Sequence, residues 1–176
     1  RVTTCARVEA RPLVWVADGA GDLRGCSTSL ARTSASDRDP VEVVAFPWSH
    51  GYRRVMLDQI DYKHAREQGL RLAEAVRERS VREPGRRVVL VAHSAGAAVA
   101  LAAAETLPAA SIDRMILLAP SVSSDYDPRR AAAACREGID VFCSPRDVWA
   151  LGVAMRLVGT TDRRLSTAAA GRYGFR

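Results

Sequence analysis

Short apolar runs alternate with longer charged or alanine-rich stretches along most of the chain. Each run holds five or six residues, is rich in valine, leucine and isoleucine, and is bounded by polar or turn-forming residues. Runs of this length predict β-strands, and their largely apolar character is typical of strands buried in a parallel sheet. The five predicted strands are Pro12–Ala17, Val41–Phe46, Val88–Ala92, Arg114–Ala119 and Ile139–Cys143.

The stretches between and after these runs predict helices. The longest, Asp61–Arg79, carries Ala65, Leu72 and Val76 at helical spacing among charged residues. The other predicted helices are Leu23–Arg32, Ala97–Thr106, Arg129–Glu137 and Asp147–Val158. Strands that alternate with helices predict an α/β fold, here an open parallel sheet of about five strands with helices on both faces.

The same pattern divides the chain into three parts. Residues 1–11 are polar and predict an irregular lead-in, whereas residues 12–158 hold every predicted strand and form the core domain. Residues 159–176 are polar and rich in arginine, and we expect no core element there but a disordered or truncated segment.

One turn in this pattern carries candidate chemistry. The sequence Ala92-His93-Ser94-Ala95-Gly96 lies between the valine-rich third strand and an alanine-rich helix. A serine at an abrupt strand-to-helix turn, with small residues two positions before and after it, is the arrangement of a nucleophile elbow. The alternative is a buried strand–helix unit whose serine merely caps the helix.

At these residues the chain resembles the α/β-hydrolase family. The resemblance implies the strand order 2-1-3-4-5, with the ligand site at the carboxyl ends of the strands. It also implies that Ser94 is the nucleophile and that the N–H groups of Ala95 and of Gly19 or Ala20 form the oxyanion hole. The family places its catalytic acid after a late strand, which here indicates Asp147, with Asp125 as second choice; Asp147 could instead cap a helix.

The histidine that this chemistry needs is missing from its usual place. The family's order is serine, acid, histidine, but the three histidines, His50, His64 and His93, all precede Asp147. We expect His93 to point away from the position of the base, and His64 to be a solvated surface residue. His50, after the second strand, is expected at the mouth of the pocket rather than as the base, and His93, Tyr52 and Asp125 are further candidates for the pocket.

The missing histidine leaves two explanations, a fragment of a longer hydrolase or a complete pseudo-hydrolase. Three functions follow: a serine esterase or lipase-like hydrolase of acyl esters, an acyltransferase or thioesterase on the same scaffold, or a non-catalytic binding domain.

The glycines after the first strand do not match a dinucleotide fingerprint, and the cysteine spacing matches no metal motif, so no cofactor or metal is expected. Stretches such as FPWSHGY resemble a bacterial branch of the family.

Composition and charge limit the classes of partner that we expect the protein to bind. The net charge is +6, but the arginines are scattered among acids, which does not favour nucleic-acid binding. The most apolar stretch, Val88–Ala104, is better explained by a strand and a helix than by a membrane span. The four cysteines are expected to be free thiols, which leaves the cellular compartment undecided. In a truncated sheet the fifth strand would be an open edge prone to self-association.

Overall fold

The computed structural model describes residues 10–143, 160–162 and 169–175. Five strands form one parallel sheet with the order β2-β1-β3-β4-β5. The strands are β1 (Leu13–Ala17), β2 (Glu42–Ala45), β3 (Val88–His93), β4 (Arg114–Leu118) and β5 (Ile139–Phe142). The predicted fold class and strand order are therefore confirmed, and the strand ends differ from the prediction by only one or two residues.

Six helices are described. They are α1 (Gly25–Ala35), α2 (Val55–Ile60), α3 (Tyr62–Arg82), α4 (Gly96–Ala104), α5 (Arg129–Ala133) and α6 (Ala170–Tyr173). Of these, α2 and α6 have no counterpart in the sequence prediction, and α5 is shorter than predicted. The predicted helix over Asp147–Val158 lies outside the described residues.

The alternation of side chains along each strand separates the core into two parts. On one face, α3 and α4 cover a large cluster that includes Leu90, Met115 and Leu117. On the other face, α1 covers a smaller cluster built on Val14, Val16 and Val91. The two clusters follow from the two-residue repeat of a strand, which sends successive side chains to opposite faces.

Close contact between α3 and α4 depends on small residues. A Cβ on Gly69 of α3 would lie 2.6 Å from the Cβ of Ala102 and 2.9 Å from the carbonyl oxygen of Val99. Every residue of α4 is buried, which explains why six of its nine residues are alanine and none is polar. The helix therefore lies against both the sheet and α3, with no side exposed to water.

The described residues after residue 159 pack against the core, so the prediction that this segment holds no core element is wrong for them. Thr160, Thr161, Ala169 and Ala170 are at most 1% exposed. A Cβ on Gly171 would lie 2.5 Å from the carbonyl carbon of Ala119, so α6 contacts the loop after β4 directly. The alanines and glycine that make this contact carry little hydrophobic signal in the sequence.

Three cysteines lie in the described ranges, Cys26, Cys135 and Cys143, and all three are free thiols as predicted. No helix within the described part of the chain is long and apolar enough to cross a membrane.

Candidate active site

Ser94 occupies the turn between β3 and α4. Its backbone has φ +51°, in the left-handed region that non-glycine residues seldom adopt. The Ser94 N–H donates to the carbonyl oxygen of Leu118 at 3.0 Å, and the Ser94 carbonyl oxygen accepts from Ser121 N–H at 3.2 Å. The strained backbone is therefore held by the end of β4 and by the loop after it, as strain at a functional turn requires.

The small residues around Ser94 are required by close contact with β1. A Cβ on Gly96 would lie 2.3 Å from the carbonyl oxygen of Ala17 and 2.4 Å from that of Asp18. Ala92 and Ala95 are fully buried. The elbow thus lies directly against the carboxyl end of β1, and only glycine at position 96 fits there without a shift of the backbone.

The loop after β1 lies beside the serine. A Cβ on Gly19 would lie 3.6 Å from the Cβ of Ser94 and 2.8 Å from Nδ1 of His93. Ala95 immediately precedes α4, whose N-terminus faces the same region. The two backbone segments that the sequence assigns to an oxyanion hole are therefore adjacent in space, on the same edge of the sheet as Ser94.

A buried carboxylate, Asp58 of α2, holds this loop in place. Its Oδ2 accepts hydrogen bonds from Gly21 N–H at 2.7 Å and from the Ser49 hydroxyl at 2.5 Å, and its Oδ1 accepts from His50 N–H at 2.8 Å. Burial opposes the charged form, but these hydrogen bonds outweigh it and lower the pKa of Asp58. Asp58 therefore ties the loop after β1 to the loop after β2.

The same β1 loop is held by two further contacts. Asp18 Oδ1 accepts from the N–H groups of Cys26 and Ser27, at 2.9 and 3.0 Å, and so caps the first turn of α1. The indole N–H of Trp48 donates to the carbonyl oxygen of Asp18 at 2.8 Å. Trp48 is 2% exposed and belongs to the core cluster, so it packs its loop down onto the core.

None of the three histidines hydrogen-bonds Ser94 in the described structure. The Nδ1 of His50 lies 2.9 Å from Oδ1 of Asp58, and its ring stacks on His64 with the centroids 3.8 Å apart. The Nε2 of His64 lies 2.7 Å from the carbonyl oxygen of Trp48. His64 is half-buried and hydrogen-bonded, so the prediction of a solvated surface residue is wrong.

A pocket of about 770 Å³ opens beside Ser94 between α1 and α2. Its described lining includes Ser94, His93, Gly19 and Ala20, but not His50, Tyr52 or Asp125. Tyr52 is 72% exposed, and Asp125 is exposed in the loop after β4. Asp147 lies outside the described residues.

The remaining lining of the pocket is largely apolar. It includes side chains of Leu23, Leu30, Val55, Met56 and Leu118. The thiol of Cys26 also lines the pocket, but burial, reinforced by the charge of Asp18, raises its pKa to about 11. Because the thiolate is the nucleophilic form of cysteine, this thiol does not compete with Ser94 near neutral pH.

A buried polar network lies behind the turn, and sequence reasoning did not find it. The hydroxyls of Ser121 and Thr161 are 2.6 Å apart, and the Gln59 amide donates to Thr161 Oγ1 at 3.1 Å. All three side chains are buried. The network joins α2 to the loop after β4, whose Ser121 N–H binds the Ser94 carbonyl oxygen.

No group of three or more metal-ligating side chains is present within residues 10–143, 160–162 and 169–175. The reactive features gathered at this edge of the sheet are a strained serine, two backbone segments with N–H groups near it, and an apolar pocket. This arrangement suits attack by a hydroxyl on an electrophile whose developing negative charge is stabilised by N–H groups.

Comparison with known proteins gave two findings. The model of the Alpha/beta hydrolase family matches residues 12–175. Among solved structures, the fold is similar to that of Trichoderma reesei cutinase in complex with a C11Y4 phosphonate inhibitor, with a TM-score of 0.54 and 19% identity over 88% of this chain and 71% of that chain. No curated protein sequence matches the chain.

Proposed function

Because the chain belongs to the α/β-hydrolase family, we propose that it is a serine hydrolase that forms an acyl-enzyme at Ser94 with acyl ester substrates. The observation that carries this proposal is the position of Ser94, at φ +51° between β3 and α4 and in the lining of a pocket of about 770 Å³. A serine that only caps a helix accepts a hydrogen bond from an N–H of the first turn, whereas the structure shows no side-chain cap hydrogen bond at the start of α4.

In the proposed reaction, the Ser94 oxygen attacks the ester carbonyl carbon, and the carbonyl oxygen becomes an oxyanion. The N–H of Ala95 and one from Gly19 or Ala20 donate to that oxyanion. Collapse of the intermediate breaks the ester C–O bond and releases the alcohol, which takes up the proton that the Ser94 hydroxyl gave up during attack. Water then attacks the acyl-enzyme, which releases the acid and restores Ser94.

Proton transfer is the weak part of this reaction in the present chain. We propose Asp147 as the acid of the catalytic triad, but an acid acts through a histidine, and none of the three histidines hydrogen-bonds Ser94 in the described structure. The expected activity is therefore the residual acceleration that an oxyanion hole and binding supply, roughly 10³ to 10⁴ over water.

The lack of a histidine at Ser94 favours a second candidate, a non-catalytic binding domain that keeps the hydrolase fold. Such a domain would bind an acyl compound in the same pocket without forming a covalent bond. The two candidates differ in one property, the reactivity of Ser94 toward an electrophile.

Labelling with a fluorophosphonate tests the proposal. We expect one adduct per chain, located on Ser94 by peptide mass spectrometry, and complete loss of the adduct in Ser94→Ala. Ser36→Ala is the matched control, because Ser36 is exposed at the end of α1, and it should label like the parent chain. An adduct on another residue, or no adduct after prolonged exposure, would refute the serine-hydrolase proposal and favour the binding domain.

A further inference from the structure

Helix α2 reverses the usual distribution of side chains. Its polar residues Asp58 and Gln59 are 0% and 6% exposed, whereas Val55, Met56 and Leu57 are 44%, 58% and 43% exposed. An ordinary surface helix buries its apolar stripe and presents polar residues to water. The apolar side chains of α2 therefore contribute little to the core, and their exposure calls for another explanation.

The buried polar residues explain how such a helix is held. Asp58 accepts hydrogen bonds from Gly21, Ser49 and His50, and Gln59 donates to Thr161. These bonds run to three different loops, so the helix is fixed in position without burial of its apolar face. The polar anchors leave Val55 and Met56 directed toward the pocket that contains Ser94.

The opposite wall of the pocket is also apolar. Leu23 and Leu30 come from the β1 loop and from α1, and Leu118 from the end of β4. Leu23 is 61% exposed and lines the same pocket as the exposed Val55 and Met56, so these side chains form one shared apolar surface rather than isolated exposed residues. The one charged side chain among the described lining residues, Arg24, is paired with Asp22 at 2.9 Å.

We propose that this pocket binds the acyl group of the substrate, and that the substrates are esters of medium- or long-chain apolar acyl groups rather than acetyl or charged acyl groups. The inference rests on the proposed function for the identity of the reacting group, because the occupant must place its carbonyl carbon at Ser94. A pocket of about 770 Å³ is in the range that holds a drug-sized ligand, far larger than an acetyl group requires.

The test is the rate at which Ser94 reacts with fluorophosphonates that carry an ethyl, a butyl or an octyl chain. Each fully buried methylene is worth roughly a fourfold gain in rate, so partial burial of the octyl chain should make it at least about thirtyfold faster than the ethyl probe. The ratio of the two second-order rate constants, rather than either rate alone, is the quantity to measure.

Two substitutions should lower this ratio. The double variant Leu23→Gln and Met56→Gln keeps side chains of similar length at exposed positions, so it should fold, and we expect the octyl-to-ethyl ratio to fall about tenfold. Leu70→Gln is the matched control, because Leu70 is 53% exposed on α3 and does not line the pocket. That variant should keep the ratio of the parent chain.

The outcomes separate the two proposals. Equal rates for ethyl and octyl probes at Ser94, or a ratio unchanged in the double variant, would overturn the acyl pocket and leave the serine hydrolase standing. If no probe labels Ser94, the proposed function fails. Calorimetric titration with octanol then tests separately whether the pocket binds an apolar ligand. Octanol binding weakened by the double variant supports an apolar ligand site, and absence of octanol binding overturns it.

Discussion

On the side of Ser94 that faces β1, backbone N–H groups and an apolar wall are held in place by buried hydrogen bonds. Asp58, Asp18 and Trp48 together fix the loop that carries Gly19. On the side that faces β4, the turn is held equally well, by Leu118 and Ser121, but no histidine in the described residues hydrogen-bonds Ser94. The two sides therefore differ in the chemical groups that they offer to Ser94, and not in how firmly they are held.

Under the proposed function, this difference means that the two requirements of serine catalysis, an oxyanion hole and a base, fall on different parts of the chain. The proposed oxyanion side consists of the Ala95 N–H and the β1 loop with Gly19 and Ala20, and the anchors of that loop lie among residues 18–58. The base side requires one imidazole at one position, and a single side chain can be absent without any effect on the sheet. The fold can thus be complete around Ser94 while proton transfer is not.

The largest effect is expected from removal of the anchor on the oxyanion side. Asp58→Asn keeps the size of the side chain but replaces one acceptor oxygen with an NH₂ group that cannot accept from its donors. If the β1 loop then moves and one oxyanion donor is lost, fluorophosphonate labelling of Ser94 should slow by about 10²- to 10³-fold. The rate constant should be measured well below the melting temperature of each variant.

Asp61→Asn is the control for this comparison. Asp61 accepts from His64 N–H, caps α3 and lies 3.4 Å from Nε2 of His50, but it has no hydrogen bond to the β1 loop among the described residues. It should lower the melting temperature slightly and leave the labelling rate within about threefold of the parent chain. Equal labelling rates for Asp58→Asn and Asp61→Asn would show that Asp58 does not position the oxyanion side.

The next largest effect is expected on stability, when a substitution disturbs the contact between the elbow and β1. In Gly96→Ala, the added Cβ would lie 2.3 Å from the Ala17 carbonyl oxygen, so the elbow or β1 must shift. We expect the free energy of unfolding to fall by about 3 kcal/mol, measured by urea denaturation. Gly25→Ala is the matched control, because nothing lies within 4 Å of its added Cβ, and it should be neutral or slightly stabilising.

Under the proposed function, imidazole from solution can supply the base that Ser94 lacks. Added imidazole should accelerate hydrolysis of an activated ester by this chain about tenfold, because general bases typically contribute 10² or more when positioned and less when free. The acceleration should disappear in Ser94→Ala. Strong turnover without imidazole that is lost in His50→Ala would instead identify His50 as the base and break the contrast between the two sides.

The sheet and the elbow were predictable from the sequence because both leave local signals. Each buried strand is a compact apolar run, and the turn needs small residues at positions 92 and 96, which Ala92 and Gly96 supply. The position of the β1 loop beside Ser94 follows from the strand order, which places β1 next to β3. These features depend on a few neighbouring residues, so they can be inferred without the rest of the structure.

The anchors were not predictable, because their partners are distant in sequence or are backbone groups. Asp58 and Gly21 are 37 residues apart. Because every residue except proline has a backbone N–H, the residue type does not show which N–H binds Asp58. Helix α2 escaped prediction because its apolar residues are exposed and its polar residues buried, the reverse of the pattern that indicates a helix. The charged sequence neighbours of His64 predict a surface position, because nothing in the local sequence indicates its contact with the carbonyl oxygen of Trp48, 16 residues away.

The smallest expected effect is on the pH dependence of stability. It distinguishes Asp58, a buried anchor, from Asp127, which forms a surface ion pair. The pKa of Asp58 is lowered by hydrogen bonds that outweigh the cost of burial, and the pKa of Asp127 is lowered to about 2, chiefly by the Arg129 side chain. A carboxyl group whose pKa is lower in the folded state contributes stability above its unfolded pKa, about 3.9, and loses it as the pH falls through the folded value. Both groups should therefore make unfolding easier below about pH 4.

Salt distinguishes the two contributions. Asp127 and Arg129 have exposed side chains, so the contribution of Asp127 should largely vanish in 1 M NaCl, where the screening length is about 3 Å. Asp58 is fully buried and is stabilised by N–H and O–H donors that salt does not screen. Acid unfolding at low and high salt should thus show a salt-independent difference between the parent chain and Asp58→Asn, and a salt-sensitive one for Asp127→Asn. If the Asp58 difference also vanished in salt, the carboxylate would be solvated rather than buried, and the oxyanion side would lack the fixed anchor that distinguishes it from the base side.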